Sequence, residues 1–337
     1  MLQIADNIRE VGGVDPRALG DELLASTEPV VIRGLVSHWP MVAAARESPA
    51  AAIRYLLGFY TDATVGAMLG APDIEGRFFY NEDLSGFNFR PVKIRLDDVL
   101  AEIADYIDNP RPPAIYVGST TVDAALPGFR EYNDLDLGAR NALASIWLGN
   151  RSRIAAHHDL PDNLACVVAG HRRFTLFPPE EVANLYIGPL DYTPAGQAIS
   201  LVDFVKPDFA RFPRFAQALE AARRTTLGPG DAIFIPSMWW HHIESLDGLN
   251  VLVNYWWRQS PAYMDSPIGA LMYTLMTVRD LPPEQRTAWQ GLFEHYVFDA
   301  DDDTVAHIPE AARRSVGTLD EAAVREIRAR LLQRLNR

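Results

Sequence analysis

Two histidine-bearing stretches, far apart in the sequence, constrain this chain more than any other feature. The first, Ile154–Asn163, contains the motif His157-x-Asp159, and the second, Pro236–Ile243, contains a histidine pair that begins at His241. Two imidazoles and one carboxylate form the facial triad that binds Fe(II) and leaves other coordination positions open. The sequence therefore predicts a metal site whose ligands are His157, Asp159 and His241.

Local geometry suggests how these ligands are presented. Residues two apart on a strand project from the same face, so His157 and Asp159 would share a face and the histidine between them would not. The pair Asp247-Gly248 is a strong hairpin-turn signal and predicts that His241 lies opposite Asn254 on paired strands. Directly opposed side chains have Cβ atoms about 4.5–5.5 Å apart, so a ligand and an amide donor would lie together.

Composition argues against several classes of partner. The chain has 31 Lys and Arg against 44 Asp and Glu, a net charge of -13, and no basic run, so general nucleic-acid binding is not expected. The single cysteine, Cys166, permits no intrachain disulfide and fits a reducing cytoplasm. The chain begins without a signal-peptide pattern, and no apolar run approaches the roughly 18–20 residues of a membrane span. A cytoplasmic protein without a membrane partner is expected.

Hydrophobic patterning predicts a β-rich part followed by a helical tail. Short β-branched or apolar runs within 28–34, 114–119 and 232–236 predict strands, and the spacing in 96–103 predicts a helix. After Arg258, the stretches 267–276, 283–298 and 319–335 all have helical periodicity. We predict a domain over residues 1–260 and a helical segment over residues 261–337.

Three further segments bear on a binding site. The turn Gly170-His171 predicts a second hairpin, which would place Arg172 on the face of Asn163. Aromatic and charged residues alternate in 77–82 and in 86–90, which predicts either a packed sheet edge or a wall of the substrate site in the region 77–90. The insertion 178–226 between predicted strands is interpreted as a lid or substrate-binding segment.

Taken in order, these motifs resemble the JmjC (cupin-8) family of Fe(II)- and 2-oxoglutarate-dependent oxygenases over roughly residues 27 to 260. The closest pattern is that of the asparaginyl hydroxylase called factor inhibiting HIF. The residues that carry the resemblance are His157–Asp159 with Asn163, Gly170–Pro179, Gly228–Asp231, Trp239–Ser245 and Asn254–Trp256.

The resemblance implies a mostly β fold with helices. Its core would be a double-stranded β-helix, the cupin-like jelly roll, with N-terminal α/β elements and a C-terminal helical segment that forms a homodimer. It also implies that His157, Asp159 and His241 bind Fe(II), and that the second cofactor is 2-oxoglutarate.

Four residues match cosubstrate-binding positions of the family. Tyr116 matches the tyrosine whose hydroxyl binds the cosubstrate carboxylate, and Asn163 and Asn254 are expected to orient ligands or the proximal carboxylate. Arg172 stands where the family usually has lysine, and its guanidinium can hold a carboxylate through two hydrogen bonds. The family's hydroxyl residue three positions before the first ligand is replaced by Ile154, so Ser152, Thr175 or Tyr116 would have to compensate.

The reaction implied is hydroxylation of a C–H bond with dioxygen, on a protein side chain in the first place and on a small molecule in the second. Three alternatives stay open at this point. A zinc or manganese cupin enzyme would keep the ligands without the cosubstrate, and a non-catalytic cupin would act as a ligand- or peptide-binding sensor. A nucleotide-modifying oxygenase is disfavoured by the acidic charge balance.

Overall fold

A computed structural model describes residues 2, 4, 7–194 and 196–336. Part of the N-terminal stretch used to judge a leader sequence, and Ala195 of the insertion, therefore lie outside the described residues. The chain forms two compact units, Met1–Gln259 and Ser260–Arg337.

The first unit is built on two β-sheets whose facing sides share a core. Its strands are β1 Arg9–Gly12, β2 Val30–Arg33, β3 Thr64–Gly70, β4 Arg77–Phe78, β5 Phe89–Arg95, β6 Ala114–Thr121, β7 Leu143–Gly149, β8 Ser152–His157, β9 Asp162–Ala169, β10 Arg172–Phe177, β11 Arg223–Leu227, β12 Ala232–Ile235, β13 Trp240–Ser245 and β14 Asn250–Trp257. The larger sheet has the order β1-β2-β12-β9-β14-β7-β6-β3-β5, and the smaller has the order β11-β10-β13-β8-β4.

From β7 onward the chain passes back and forth between the two sheets. Strands β7, β9, β12 and β14 belong to the larger sheet, whereas β8, β10, β11 and β13 belong to the smaller one. Alternation between two facing sheets is the connectivity of a jelly roll. The predicted fold class is therefore confirmed.

Both predicted hairpins are wrong. The Asp247-Gly248 turn joins strands of different sheets, because β13 pairs with β8 and β10 while β14 pairs with β7 and β9. The Gly170-His171 turn likewise leads from β9 in the larger sheet to β10 in the smaller one. A glycine turn serves a hairpin or a link between stacked sheets equally well, so only the strand pairing distinguishes them.

Most helices of the first unit share a core with the larger sheet, whereas the helix Phe215–Ala221 packs with Phe177 and Trp240 of the smaller sheet. They are α1 Asp21–Leu24, α2 Pro40–Glu47, α3 Pro49–Leu57, α4 Leu96–Tyr106, α5 Val122–Ala125 and α6 Phe215–Ala221. The Ser48 side chain caps α3 by accepting a hydrogen bond from the Ala51 N–H, and Pro49 occupies its first turn. The predicted helix at 96–103 corresponds to α4, which buries four apolar side chains, Leu96, Val99, Leu100 and Ile103.

Alternating side chains of β9 enter two different cores, which explains why this strand is apolar throughout. Leu164, Cys166 and Val168 pack in the core that includes residues of α2, α3 and α4. Ala165 and Val167 pack between the two sheets. Burial on both faces gives a continuous apolar run instead of an alternating one.

The second unit is helical, with α7 Pro267–Thr277, α8 Pro283–Phe293 and α9 Glu321–Leu335. A π-helical turn, Glu294–Phe298, continues α8 to the end of the predicted segment. The acidic run 299–303 is exposed. Nowhere in the described chain is a helix both long and apolar enough to cross a bilayer.

Candidate metal and cosubstrate site

A cavity of about 210 Å³ lies among residues of both sheets of the first unit. Its walls are largely apolar, with a small number of polar and charged groups, as is typical of small-molecule sites. All seven residues singled out from the sequence line this cavity: Tyr116, His157, Asp159, Asn163, Arg172, His241 and Asn254.

Neighbouring strands of the smaller sheet bring the two histidines together. His157, the last residue of β8, lies directly opposite His241 of β13, and their ring centroids are 4.3 Å apart. The His241 Nε2 lies 3.6 Å from Asp159 Oδ2. One potential ligand atom from each of the three residues lies within 4.8 Å of the other two.

Asp159 reaches this group from a turn and not from a strand, so the predicted strand geometry of the His-x-Asp motif is wrong. β8 ends at His157, and the next strand begins at Asp162. The Met238 N–H donates a 2.9 Å hydrogen bond to the Asp159 carbonyl oxygen, which ties this turn to the turn that precedes β13. Both ligand stretches are thereby fixed to each other by the backbone.

Hydrogen bonds of the histidine rings leave Nε2 available on both. The Nδ1 of His157 lies 2.9 Å from the Ala155 carbonyl oxygen, and that of His241 lies 2.9 Å from the Trp239 carbonyl oxygen. A carbonyl oxygen only accepts, so each Nδ1 carries the proton. Burial lowers the pKa of His241 to about 4, with a further contribution from His157, so this ring is neutral near pH 7. Two neutral imidazoles and a carboxylate fit a divalent transition metal such as Fe(II).

The two adjacent histidines lie elsewhere, as the sequence indicated. The His158 ring packs edge-on against Trp240, with centroids 4.6 Å apart, and the His242 ring packs against Phe204 at 4.5 Å. Neither lines the cavity.

At the other end of the cavity, Arg172 of β10 is a buried cation with unused hydrogen-bonding capacity. It is 3% exposed, and its one hydrogen bond is a long one, 3.4 Å from Nη2 to the Trp147 carbonyl oxygen of β7. Its Nε has no partner, and no carboxylate forms an ion pair with it, among the described residues. Burial lowers the pKa of Arg172 to about 10, so it stays charged at neutral pH. Buried charges are normally paired, which makes this group well suited to an anionic ligand.

Of the three candidate hydroxyls, Tyr116 alone lines the cavity. Burial raises its pKa to about 12, so the phenol keeps its proton and can donate a hydrogen bond. Ser152 is buried with its hydroxyl unpaired in the described structure, and Thr175 lies beside His242 in the strand register. A carboxylate held by Arg172 would therefore find its hydroxyl donor in Tyr116.

Trp147, which the sequence did not single out, fixes the orientation of both asparagines. Its Nε1–H donates to Asn254 Oδ1 at 2.7 Å, and Asn254 Nδ2 donates to Asn163 Oδ1 at 3.1 Å. An indole nitrogen can only donate, so the orientation of each amide follows from the first bond. The NH₂ group of Asn163 is left for another acceptor.

Residues from outside the jelly-roll strands complete the cavity wall. The insertion between β10 and β11 contributes Pro194, Gln197 and Ile199 to the wall, and its role as a lid or substrate-binding segment stays a prediction. It contacts the 77–90 region, because the Tyr192 ring stacks on Phe87 with centroids 5.0 Å apart. Phe78 of β4 also lines the cavity, so that region supplies a wall residue as well as a sheet edge.

The first unit matches a known domain family in sequence. Residues 16–263 match the family described as cupin-like domain, cupin-8, which covers most of the chain. The chain belongs to this family. The JmjC (cupin-8) resemblance drawn from the motifs is thereby confirmed, while the particular likeness to factor inhibiting HIF stays a prediction.

Three relatives illustrate the range of similarity. Lysine-specific demethylase JMJ31 of Arabidopsis thaliana is 37% identical over 133 residues, which is 37% of this chain and 24% of that protein. Human HSPB1-associated protein 1 is 35% identical over 129 residues, 37% of this chain and 26% of that protein. The human bifunctional peptidase and (3S)-lysyl hydroxylase JMJD7 is 26% identical over 267 residues, 68% of this chain and 77% of that protein. The match thus spans about a quarter of the length of the first two relatives.

Proposed function

We propose that this chain is an Fe(II)- and 2-oxoglutarate-dependent dioxygenase that hydroxylates a C–H bond of a protein side chain. The observation that carries the proposal is that one cavity is lined both by the His-Asp-His group and by the buried Arg172. In a metal enzyme without an anionic cosubstrate, the buried guanidinium of Arg172 would remain without a counter-charge and with unsatisfied donors. A dicarboxylate with one end at the metal and the other at Arg172 accounts for both ends of the cavity.

Each residue has a definable task in this reaction. His157, Asp159 and His241 would hold the metal, while Arg172 and Tyr116 would bind the distal carboxylate of the cosubstrate. When bound, metal and cosubstrate supply the oxidation, in which a C–H bond, dioxygen and 2-oxoglutarate become C–OH, succinate and carbon dioxide.

The remaining lining residues position and shield these groups. The free NH₂ of Asn163 would donate to the proximal carboxylate. Apolar side chains such as Phe174, Ile243 and Leu252 exclude water from the reacting groups.

Two observations support a protein side chain as the substrate. Two relatives are named as a lysine-specific demethylase and a (3S)-lysyl hydroxylase. The cavity, at about 210 Å³, suits a small cosubstrate together with a single side chain. We therefore expect the rest of a protein substrate to stay outside the cavity.

Succinate formation tests the proposal. Purified protein is incubated with Fe(II), ascorbate and 2-oxoglutarate in air, with a panel of candidate proteins and peptides, beside the double variant His157→Ala/Asp159→Ala. We expect succinate from the wild type only. Equal amounts from both proteins would contradict the proposal, and metal analysis of the purified protein would then decide for or against a zinc or manganese cupin.

We further propose that the helical unit, Ser260–Arg337, forms a homodimer. None of its described residues is fully buried, and helices of this length are marginal without tertiary packing. Exposed apolar side chains of this kind usually mark an interface. Those of the helical unit include Ile268, Leu271, Met272, Met276, Trp289, Leu292, Tyr296, Phe298, Leu332 and Leu335.

Sedimentation of the full chain and of a chain ending at Arg258 tests this role. We expect a dimer for the first and a monomer that still binds metal for the second. A truncated chain that remains dimeric would assign the interface to the jelly roll instead.

A further inference from the structure

We infer that the side chain oxidised in this cavity is uncharged, unlike the lysine named for two of the relatives. The inference rests on the proposed function, because it depends on the charges present once metal and cosubstrate are bound. It assigns a chemical class of substrate: an amide, hydroxyl or hydrocarbon side chain, and not an ammonium or guanidinium.

The first step is the fixed charge of the cavity. Among the described lining residues, only Asp159 and Arg172 carry a formal charge when the two ligand histidines are neutral, as metal binding requires. Asp159 belongs to the metal group, with its carboxylate 3.6 Å from His241. No second carboxylate lines the cavity in the described part of the chain.

The second step is the charge of the loaded site. A divalent metal and Arg172 together bring three positive charges, and Asp159 and the cosubstrate dianion bring three negative ones. The loaded site is therefore electrically balanced. A cationic side chain that entered it would leave water without gaining a counter-charge, and burying an unpaired charge is strongly unfavourable.

The third step is the chemistry of the residues that are left to contact a substrate. Met68, Phe78, Pro194 and Ile199 are apolar. The polar groups not used at either end are the side chains of Ser119 and Gln197 and the indole N–H of Trp256, which is buried and has no partner among the described residues. Ser119 lies in a β6 irregularity with a left-handed φ of 47°. Such irregularities often re-aim a side chain beside an active site.

Ser119 and Gln197 are free to recognise a neutral polar group. Neither side chain has a hydrogen-bond partner among the residues that the structure describes. A hydroxyl and a primary amide can both donate and accept, and so can complement an uncharged amide or hydroxyl.

Nearby acidic residues do not supply the missing carboxylate. Glu82, Asp203 and Asp208 line a different cavity, which they share with three cations, Arg77, Lys206 and Arg211. Asp203 is itself paired with Arg77 and Arg153. None of these three carboxylates lines the cavity that holds the metal group.

Two probes of matched size and different charge test the inference without turnover. Mn(II)-loaded protein is mixed with 2-oxoglutarate under argon, and the proton relaxation of added pentanamide or pentylammonium is measured, with a diamagnetic Zn(II)-loaded sample as the reference. We expect the manganese to relax the pentanamide protons. Pentylammonium should bind at the metal at least about tenfold more weakly, because its charge is uncompensated there.

A matched pair of variants identifies the cause of the discrimination. Gln197→Glu adds the carboxylate that the cavity lacks and should reduce the preference for pentanamide several-fold, whereas the neutral Gln197→Met should not favour pentylammonium. Unfolding curves of the two variants check that both are folded.

Three results would overturn the inference: equal relaxation of the two probes, a preference for pentylammonium, or relaxation of neither. The same sample also tests the proposed function separately, before either probe is added. If 2-oxoglutarate does not change the relaxation of metal-bound water before any probe is added, the cosubstrate does not bind, and the charge argument falls with it.

Discussion

The two ends of the cavity are built differently. At the metal end, both histidine rings are fixed by hydrogen bonds from Nδ1 to backbone carbonyl oxygens. At the other end, Arg172 is as deeply buried as His241 but has a single 3.4 Å hydrogen bond and an unpaired Nε. The metal end is thus preorganised by the protein alone, whereas the arginine end is incomplete without an anion. Substitution at the two ends should therefore have different consequences for ligand binding and for stability.

The largest effect is expected at the metal end. Asp159→Ala removes one of three proposed ligands and should lower Mn(II) affinity more than about a hundredfold, exceeding the usual effect of changing an outer hydrogen-bond partner. Because the Asp159 backbone oxygen still accepts the Met238 N–H, the fold should persist. Titration with Mn(II) followed by electron paramagnetic resonance measures the affinity. His158→Ala is the matched control, and a similar loss there would mean that the ligands are wrongly assigned.

At the arginine end, substitution should weaken the cosubstrate and strengthen the fold. Arg172→Met should raise the KM for 2-oxoglutarate by about 10- to 100-fold, because one or two charge-assisted hydrogen bonds to the cosubstrate are lost. It should also raise the free energy of unfolding of the metal-free protein by about 1–3 kcal/mol, because an uncompensated buried charge is removed. Steady-state kinetics and urea unfolding give the two quantities. A less stable variant with an unchanged KM would make Arg172 a structural residue.

Acid should destabilise the protein through the histidines of β13. Burial lowers the pKa of His242 to about 3 and that of His241 to about 4, against about 6.5 in an unfolded chain. The unfolded state therefore takes up protons first, so stability that is present above pH 6.5 is lost as the pH falls toward 4 and then 3. The loss should amount to a few kcal/mol.

Urea unfolding of metal-free protein between pH 7 and 4 measures this dependence. His242→Phe replaces a ring that packs against Phe204 and should flatten the curve while leaving Mn(II) affinity intact. A curve with the same slope as the wild type would assign the acid sensitivity to other groups.

The smallest effect is expected from the hydrogen-bonded asparagines that lie between the two ends. Trp147→Phe keeps an aromatic ring but removes the donor that orients Asn254 and, through it, Asn163. We expect the KM for 2-oxoglutarate to rise by about 3- to 10-fold, because about one hydrogen bond is lost, and kcat to stay nearly unchanged. A fall in kcat alone would mean that Trp147 supports the reaction by packing.

The sequence predicted which residues lie at this site better than it predicted which strands and turns hold them there. The His-x-Asp motif is weak by itself, but together with the histidine of Trp239–Ile243 and with Asn254 it forms a constellation from which the candidate ligands could be named. The strand geometry could not, because Asp159 lies in a turn whose position depends on a hydrogen bond to Met238.

The positions of Asn254 and Arg172 in the fold were also predicted on a wrong basis. Both line the cavity, but the hairpins used to place them do not exist, since each turn joins the two sheets. Trp147 and Gln197 gave no signal of their own, because an indole donor or a loop amide becomes informative only when its neighbours in space are known. Long-range pairing is the information that local periodicity lacks.

Calorimetric titration of 2-oxoglutarate into Mn(II)-loaded protein under argon tests most directly whether the two ends act on one ligand. The wild type should bind the cosubstrate only when metal is present, and Arg172→Met should bind metal normally but the cosubstrate far more weakly. Binding that is independent of the metal, or indifferent to Arg172→Met, would contradict the account.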